Sequence, residues 1–515
     1  MNTQIREKIT LANNKQKIFQ TLKKYYGFDQ FRPLQEEIIT TICSGQDTIA
    51  LLPTGGGKSL CFQIPALVLP GMTIVISPLI SLMTDQVGAL QKRGVKAHCL
   101  TSQASEEINT EILEKVANNE VKILYVAPER LARASFQKLL KNVPISLVVL
   151  DEAHCLSQWG HEFRPSYVQI VENLRWLREM NVPWSAFTAT ATEKVLNELK
   201  EILELHEPQI FRASFARSNL DVIVAKVNGV DEKELALCHF VSRQLSNDPK
   251  SSGIIYASTK KATEHIARMV NFYLGDLYSV PENNEVNQLC YPYHAGLDSK
   301  IRQQTQEQFI HNSIQVISAT NAFGMGVDKP NVRWVIHYQY PGSLEAYYQE
   351  IGRAGRDQQP ATCLLLADPA DTTIHQSFIA RTQNINQQLH EQNLLKTMIG
   401  YINTDSCRTN AVLEYFNEKS PKNGCGMCDI CNSDLQRLLE LEHTQYTNSI
   451  LENLAHLSRK TSIHFNFILN PQQQSWIAVL QPRTAHDFLK IPGIGPGWID
   501  TWYNKLLITR DNHHD

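Results

Sequence analysis

Residues 48–60 read TIALLPTGGGKSL. An apolar run meets a glycine-rich turn that ends in Gly-Lys-Ser, and an apolar helix-forming stretch follows. That is the strand, loop, helix order of a phosphate-binding loop. Gly55, Gly56 and Gly57, with Thr54 in the same turn, let backbone N–H groups curl around phosphate oxygens. Lys58 has the reach for β and γ phosphates, Ser59 offers a hydroxyl to Mg²⁺, and the start of the helix favours an anion. The strict pattern wants glycine where Leu52 stands, so a plain glycine-rich turn is the competing reading.

Outward from this loop, short apolar runs recur before Gly-, Asp- or Pro-containing turns and longer helical stretches, from about residue 16 to 380. The pattern predicts an α/β fold with mainly parallel sheets. Strands are expected at 48–52, 73–76, 122–126, 146–150 and 185–188, then at 253–257, 315–319, 334–337 and 363–366. Two sheets are expected, with a boundary near residues 211–219. Residues 246–253 and 280–288 read as exposed turns or loops.

The chain has 515 residues, which at roughly 150 per domain requires several cores. Charged residues make up 20% and hydrophobic residues 43%, which excludes a wholly disordered, collagenous or coiled-coil protein. With a net charge of −3, no global positive field announces a polyanionic partner, so nucleic acid must be met by a local patch. No secretory signal or membrane-spanning stretch is legible, and a cytoplasmic or nuclear location is expected. Seven of the eleven cysteines are scattered, while Cys407, Cys425, Cys428 and Cys431 crowd together. This suggests one metal site in a reducing compartment, not a disulfide framework.

The run SLVVL delivers Asp151, Glu152, Ala153 and His154 to the carboxyl end of a strand, where ligands bind in parallel sheets. Asp151 suits Mg²⁺ and Glu152 an attacking water; acids capping a helix are the plainer reading. From the other half, YYQEIGRAGRD brings Gln349, Arg353 and Arg356. The arginines share a face if the segment is helical, and arginines crossing a cleft stabilise phosphoryl transfer; surface salt bridging is their alternative.

PTGGGKS, SPLISLMTDQ, APERL, DEAHCLSQWGHEFRP, TATA, GIIY, YHAGL, ATNAFGMGVDKPNVR and QEIGRAGRD stand in the order of superfamily 2 helicase motifs. Over residues 20–435 the chain resembles the RecQ family of ATP-dependent DNA helicases. The resemblance implies two RecA-like lobes with ATP between them, 3′→5′ movement on single-stranded DNA, and a role in DNA repair or recombination on single-stranded, tailed or branched substrates. Single-strand-binding or repair proteins would be natural partners. YYGFDQFRPLQ resembles the family's adenine-recognition motif, which sets Phe28 against the base, Gln35 on its edge and Arg32 near the nucleotide. In the loop after the acids, the resemblance implies DNA contact and coupling by Trp159, Phe163 and Arg164, with His154, Gln158 and His161 as a relay; core packing of Trp159 and Phe163 is the plainer reading. His294 and Thr320 are weaker candidates for lining the strand.

The expected division is an N-terminal extension (1–15), a first lobe (16–213), a second lobe (214–368), a helical zinc-binding subdomain (369–435) and a C-terminal helical domain (446–510). Four thiolates at this spacing suit tetrahedral Zn²⁺ with no open position, and an iron–sulfur cluster is the rival. The resemblance implies zinc. Only 84 residues follow Cys431, too few for both a winged helix and the HRDC-like module that residues 447–510 resemble. Gly493, Ile494 and Gly495 suit a phosphate-binding turn, against the plain reading of a tight interhelical turn. Two functions remain open: a helicase that unwinds without a winged helix, and an ATP-gated DNA-binding or strand-annealing factor.

Overall fold

The computed structural model describes residues 3–53, 55–101, 104–157, 165–278, 288–324, 329–440, 445–461, 463–503 and 505–506. Its first sheet contains β1 (Thr48–Leu51), β2 (Met72–Ile76), β3 (Ala97–Leu100), β4 (Ile123–Val126), β5 (Ile145–Leu150), β6 (Trp184–Thr188) and β7 (Gln209–Arg212). They lie in the order β3-β4-β2-β5-β6-β1-β7, every pair parallel. The second contains β8 (Leu220–Lys226), β9 (Ser252–Tyr256), β10 (Cys290–Tyr293), β11 (Val316–Ala319), β12 (Val332–His337) and β13 (Ala361–Ala367). Its order is β10-β11-β9-β12-β13-β8, again all parallel.

The central strands are buried on both faces, which is why they read as unbroken apolar runs. All nine expected strands form. β3, β7, β8 and β10 were not anticipated, because AHCL, QIFR, LDVIVAK and CYPY mix polar or proline residues into sheet edges or strands next to them. The first sheet ends at Arg212 and the second begins at Leu220. The helix Thr3–Tyr26 runs unbroken through position 15, so no element ends there. Residues 280–287 lie outside the described residues.

Strand order sets the site. β6 lies between β1, which carries the glycine-rich turn, and β5, which carries the acids. All three carboxyl ends therefore open on one crevice. At the other end of this sheet Asp47 accepts both arms of Arg178, at 2.9 and 2.8 Å, plus the backbone N–H of Trp184 and His206. That satisfies a buried carboxylate only 6% exposed.

Beyond the second sheet, helices Asp371–Ile379, Ile385–Asn403 and Arg408–Tyr415 lead to the cysteine cluster. The C-terminal helix Pro471–Leu480 packs against helix Gly229–Asn247 of the second lobe, and Gln445–Thr461 packs in turn on Pro471–Leu480. Leu454, Trp476, Ile477 and Trp502 share one hydrophobic cluster with Leu237, Phe240, Val241 and Ile266. Trp476 stacks on Tyr273 at 4.3 Å between centroids. No described helix is long and apolar enough to cross a membrane.

In the second sheet Trp334 of β12 is paired with Gly253 of β9 and lies flat over it. A Cβ at Gly253 would stand 2.0 Å from the indole. Gly253→Ala is expected to destabilise the chain by about 1–3 kcal/mol or more, read by chemical denaturation.

Candidate active site

The glycine-rich turn has the backbone its composition demands. Gly55 and Gly57 sit at φ 82° and 78°, in the left-handed region, and Gly57 caps the helix Lys58–Val68. The segment before β1 braces it: Arg32 donates to the Gly55 carbonyl at 2.6 Å, and the Gln35 amide to Gly56 and Gly57, each at 3.3 Å. Both residues thus touch the loop itself, and Phe28 stands 56% exposed at the rim of the same crevice. An aromatic left in solvent beside a phosphate loop has a free face on which a base could stack.

Asp151 and Glu152 follow β5. Glu152 lies at φ 50°, ψ 49°, a strained conformation for a non-glycine residue, and its side chain makes no helix cap. It points instead at Lys58, with Nζ 3.4 Å from Oε1, and at His154 Nδ1, 3.4 Å from Oε2. Burial, then the neighbouring charge of Glu152, pushes the Asp151 carboxyl up to about 7, with Lys58 opposing the shift. His154 Nδ1 lies 2.9 Å from Thr188 Oγ1, whose hydroxyl donates to Thr190 O at 2.9 Å. The acids are thereby wired to the TATA segment at the end of β6. Thr188 was missed as a site residue, although the TATA motif carried its signal.

The second lobe closes the crevice. Gln349, Arg353 and Arg356 line one cavity of about 630 Å³ with Phe28, Arg32, Gln35, Lys58, Ser59, Asp151 and Glu152. The approach is close: a Cβ at Gly55 would meet Arg356 Cγ at 3.2 Å. Gln349 lies in the helix Leu344–Ile351, but the helix does not extend to Arg353 and Arg356, so the condition for a shared helical face is not met. The helix ends at Ile351 and gives way to turns, broken at Gly355 with φ 54°. Arg353 is buried and donates to the Gly324 carbonyl. Asp85 and Gln86 also line the cavity and were not singled out from sequence.

Thr54, Gln158, Trp159, His161, Phe163 and Arg164 lie outside the described residues. His294 is buried, with Nε2 3.1 Å from Glu264 Oε1 and Nδ1 accepting the Gly296 N–H. Thr320 caps the turn that follows β11, its hydroxyl accepting from the Ala322 N–H.

The four cysteines converge. Their sulfurs all lie within 4.8 Å of one another, and Cys407 and Cys428 are 4.0 Å apart. A tetrahedron of Zn–S bonds needs S–S spacings of about 3.8 Å. Backbone N–H groups of Arg408 and Met427 point at Cys428 and Cys425 sulfurs, and a Cβ at Gly424 would stand 2.6 Å from Cys431 Sγ. Such a cradle fits a thiolate-held ion. Buried Arg408 pairs with Asp429 at 3.0 and 3.1 Å, and Val222 of β8 exchanges backbone hydrogen bonds of 2.9 Å with Met427 and Asp429.

Residues 32–199 match the DEAD/DEAH box helicase family, 232–358 the helicase conserved C-terminal domain and 369–432 the RecQ zinc-binding family. The two sheets and their shared crevice are the paired RecA-like lobes of a helicase core. The ATP-dependent DNA helicase RecQ of Bacillus subtilis is 39% identical over 411 residues, 80% of this chain and 66% of that protein. RecS of the same organism is 42% identical over 366 residues, 70% of this chain and 69% of its own length. R290 of Acanthamoeba polyphaga mimivirus, which carries an RNA-helicase name, is 38% identical over 506 residues, 96% of this chain and 87% of that protein. Among solved structures, the DUF1998 helicase MrfA bound to DNA shares the fold, with a TM-score of 0.57 at 18% identity over 74% of this chain and 53% of that one. The chain belongs to the RecQ family. It spans 62–66% of the length of bacterial RecQ relatives.

Two outcomes are expected. Because the folded pKa of Asp151 is raised, the ionised carboxylate weakens the nucleotide-free chain, fully above pH 7 and less as pH falls toward the unfolded value. Asp151→Asn should therefore raise the melting temperature more at pH 8 than at pH 5, in thermal scans without nucleotide. Cys428→Ser should abolish stoichiometric zinc in a metal assay and open residues 369–432 to proteolysis.

Proposed function

We propose that the chain is a DNA-stimulated ATPase and 3′→5′ DNA helicase that takes ATP between its lobes, acting in DNA repair or recombination. The observation that carries this reading is the convergence of Lys58, Asp151 and Glu152 from one lobe with Gln349, Arg353 and Arg356 from the other in a single crevice. In the proposed reaction Glu152 orients a water and takes its proton as the water oxygen bonds to the γ phosphorus. The bond from that phosphorus to the bridging oxygen breaks, yielding ADP and phosphate. Lys58 and the two arginines neutralise charge on the phosphates, and Phe28 and Gln35 hold the base. Ser59 and Asp151, hard oxygen donors, would hold Mg²⁺, which supplies charge neutralisation when bound. Zn²⁺ on the four cysteines is structural.

DNA as the polymer is supported by the naming of the Bacillus relatives and by the RecQ-type zinc module. RNA is the second reading, favoured by the mimivirus relative that matches 96% of this chain. An ATP-gated annealing factor is also kept in view, because residues 432–446 leave no room for a winged helix before the C-terminal helices.

The test is ATP turnover with no polymer, single-stranded DNA and single-stranded RNA, then strand displacement on 3′-tailed and 5′-tailed duplexes. Stimulation by DNA and separation of the 3′-tailed duplex alone are expected, with turnover lost in Lys58→Ala. Turnover without separation would leave the annealing reading, and stimulation by RNA alone would replace the substrate.

A further inference from the structure

The segment between the sheets, residues 213–219, is tied down by groups that never reach the nucleotide crevice. From the zinc module, Glu418 takes two hydrogen bonds: Ser214 Oγ donates to Oε1 at 2.5 Å and the Phe215 N–H to Oε2 at 2.8 Å. The Phe215 ring stacks on Phe416 at 4.2 Å with only 7° between planes, and meets Tyr348 edge-on at 5.4 Å. Asn417, at φ 57°, turns the chain after the helix Arg408–Tyr415, and the Glu418 N–H returns to Leu413 O at 2.8 Å. The carboxylate is thereby aimed at the hinge from a helix whose first cap is the zinc-site residue Cys407.

The same few hinge residues hold the arginine turn. Tyr348, adjacent to Gln349, donates its hydroxyl to Phe215 O at 2.8 Å. The Arg217 guanidinium donates to Ala354 O and Gly355 O at 3.1 and 2.9 Å, and the Asn219 amide to Gly355 O and Gln359 O, each at 2.9 Å. Arg356 lies between those carbonyls in sequence. From the zinc module Tyr415 also donates to Glu345, on the helix that carries Gln349.

We infer that Glu418 is a positioning residue, whose carboxylate latches the hinge between the lobes and through it fixes the turn bearing Arg353 and Arg356. Any closing of the lobes has to be absorbed by backbone rotation in residues 213–219. Two hydrogen bonds to a carboxylate restrict which of those residues rotate, so the arginines arrive at the phosphates in one register. The inference rests on the proposed ATPase function and names a residue outside its crevice.

The test compares wild type with Glu418→Ala, Glu418→Gln and Ser214→Ala in the full chain, each assayed for zinc and melting temperature. Glu418→Ala is expected to lower DNA-stimulated kcat about tenfold, with the KM for ATP and polymer-free turnover changed less than about twofold. Glu418→Gln, which keeps one acceptor oxygen, should recover part of the loss. Hydrogen exchange should quicken at residues 213–219 and also at 352–359, which Glu418 does not touch. A zinc-loaded Glu418→Ala protein with wild-type stimulation and wild-type exchange at 352–359 would overturn the latch. If the alanine variant loses zinc, Glu418→Gln and Ser214→Ala, each removing one bond, decide by the same two readouts. Were wild type unstimulated by DNA, the proposed function would fall, and exchange at 352–359 alone would decide the latch.

Discussion

The site depends on opposed charge divided between two bodies. Lys58, Asp151 and Glu152 stand on one sheet, and Arg353 and Arg356 follow a helix on the other. Neither set is balanced for a triphosphate alone. The first lobe's lysine is drawn 3.4 Å from its own acid, and burial, then the charge of neighbouring Glu152, holds the Asp151 carboxyl above its ordinary range. Such a pair is costly for stability, and the left-handed φ of Glu152 adds strain to it. A fold selected for stability alone would discard both features. Both features stand at the carboxyl end of a central strand, where perturbed and strained groups gather at functional sites.

The zinc module contributes to the second lobe in two physical ways. β8 is an edge strand, with a row of backbone groups that water or another chain would otherwise pair. Val222 gives one N–H and one C=O of that edge to Met427 and Asp429, between and beside the cysteines. The buried Arg408–Asp429 pair then ties the loop to the helix that follows Cys407, with Arg408 also donating to Tyr401 O and Ile402 O. Holding the sulfurs together therefore holds a sheet edge and a helix register together. This explains why a module remote from the nucleotide is continuous with the lobe's core: Tyr401, Val412 and Phe416 sit in the same apolar cluster as Tyr347 and Tyr348.

Legibility from sequence followed locality. The glycine-rich turn, the acids and the cysteine set were readable because each is a short run whose chemistry is fixed by residue type and spacing. Parallel core strands were readable because burial on both faces leaves unbroken apolar runs. What escaped was long-range. Arg217 and Asn219 look like ordinary loop residues, yet they hold carbonyls more than a hundred positions away. Glu418 reads as an exposed acid in EKSPK, and its partners lie more than two hundred residues upstream. Arg353 and Arg356 would share a face only on a helix; the helix ends at Ile351, and turns present both side chains to the crevice instead.

The C-terminal helices show the same limit at the scale of a domain. Their sequence reads as a self-sufficient helical unit with six basic and five acidic side chains over residues 446–515, which offers no field to pull it toward a polyanion. Trp498 stays within the unit, stacked on Phe488, but Trp476 answers to the second lobe: it is buried against Tyr273, and the cluster runs on through Phe240 and Val241 to strands β9 and β12. Apolar surface of that kind, once buried, moves as part of its host. The module is therefore buried in part against the lobe that carries the arginines, and residues 213–219 are the stretch of chain that joins the two sheets.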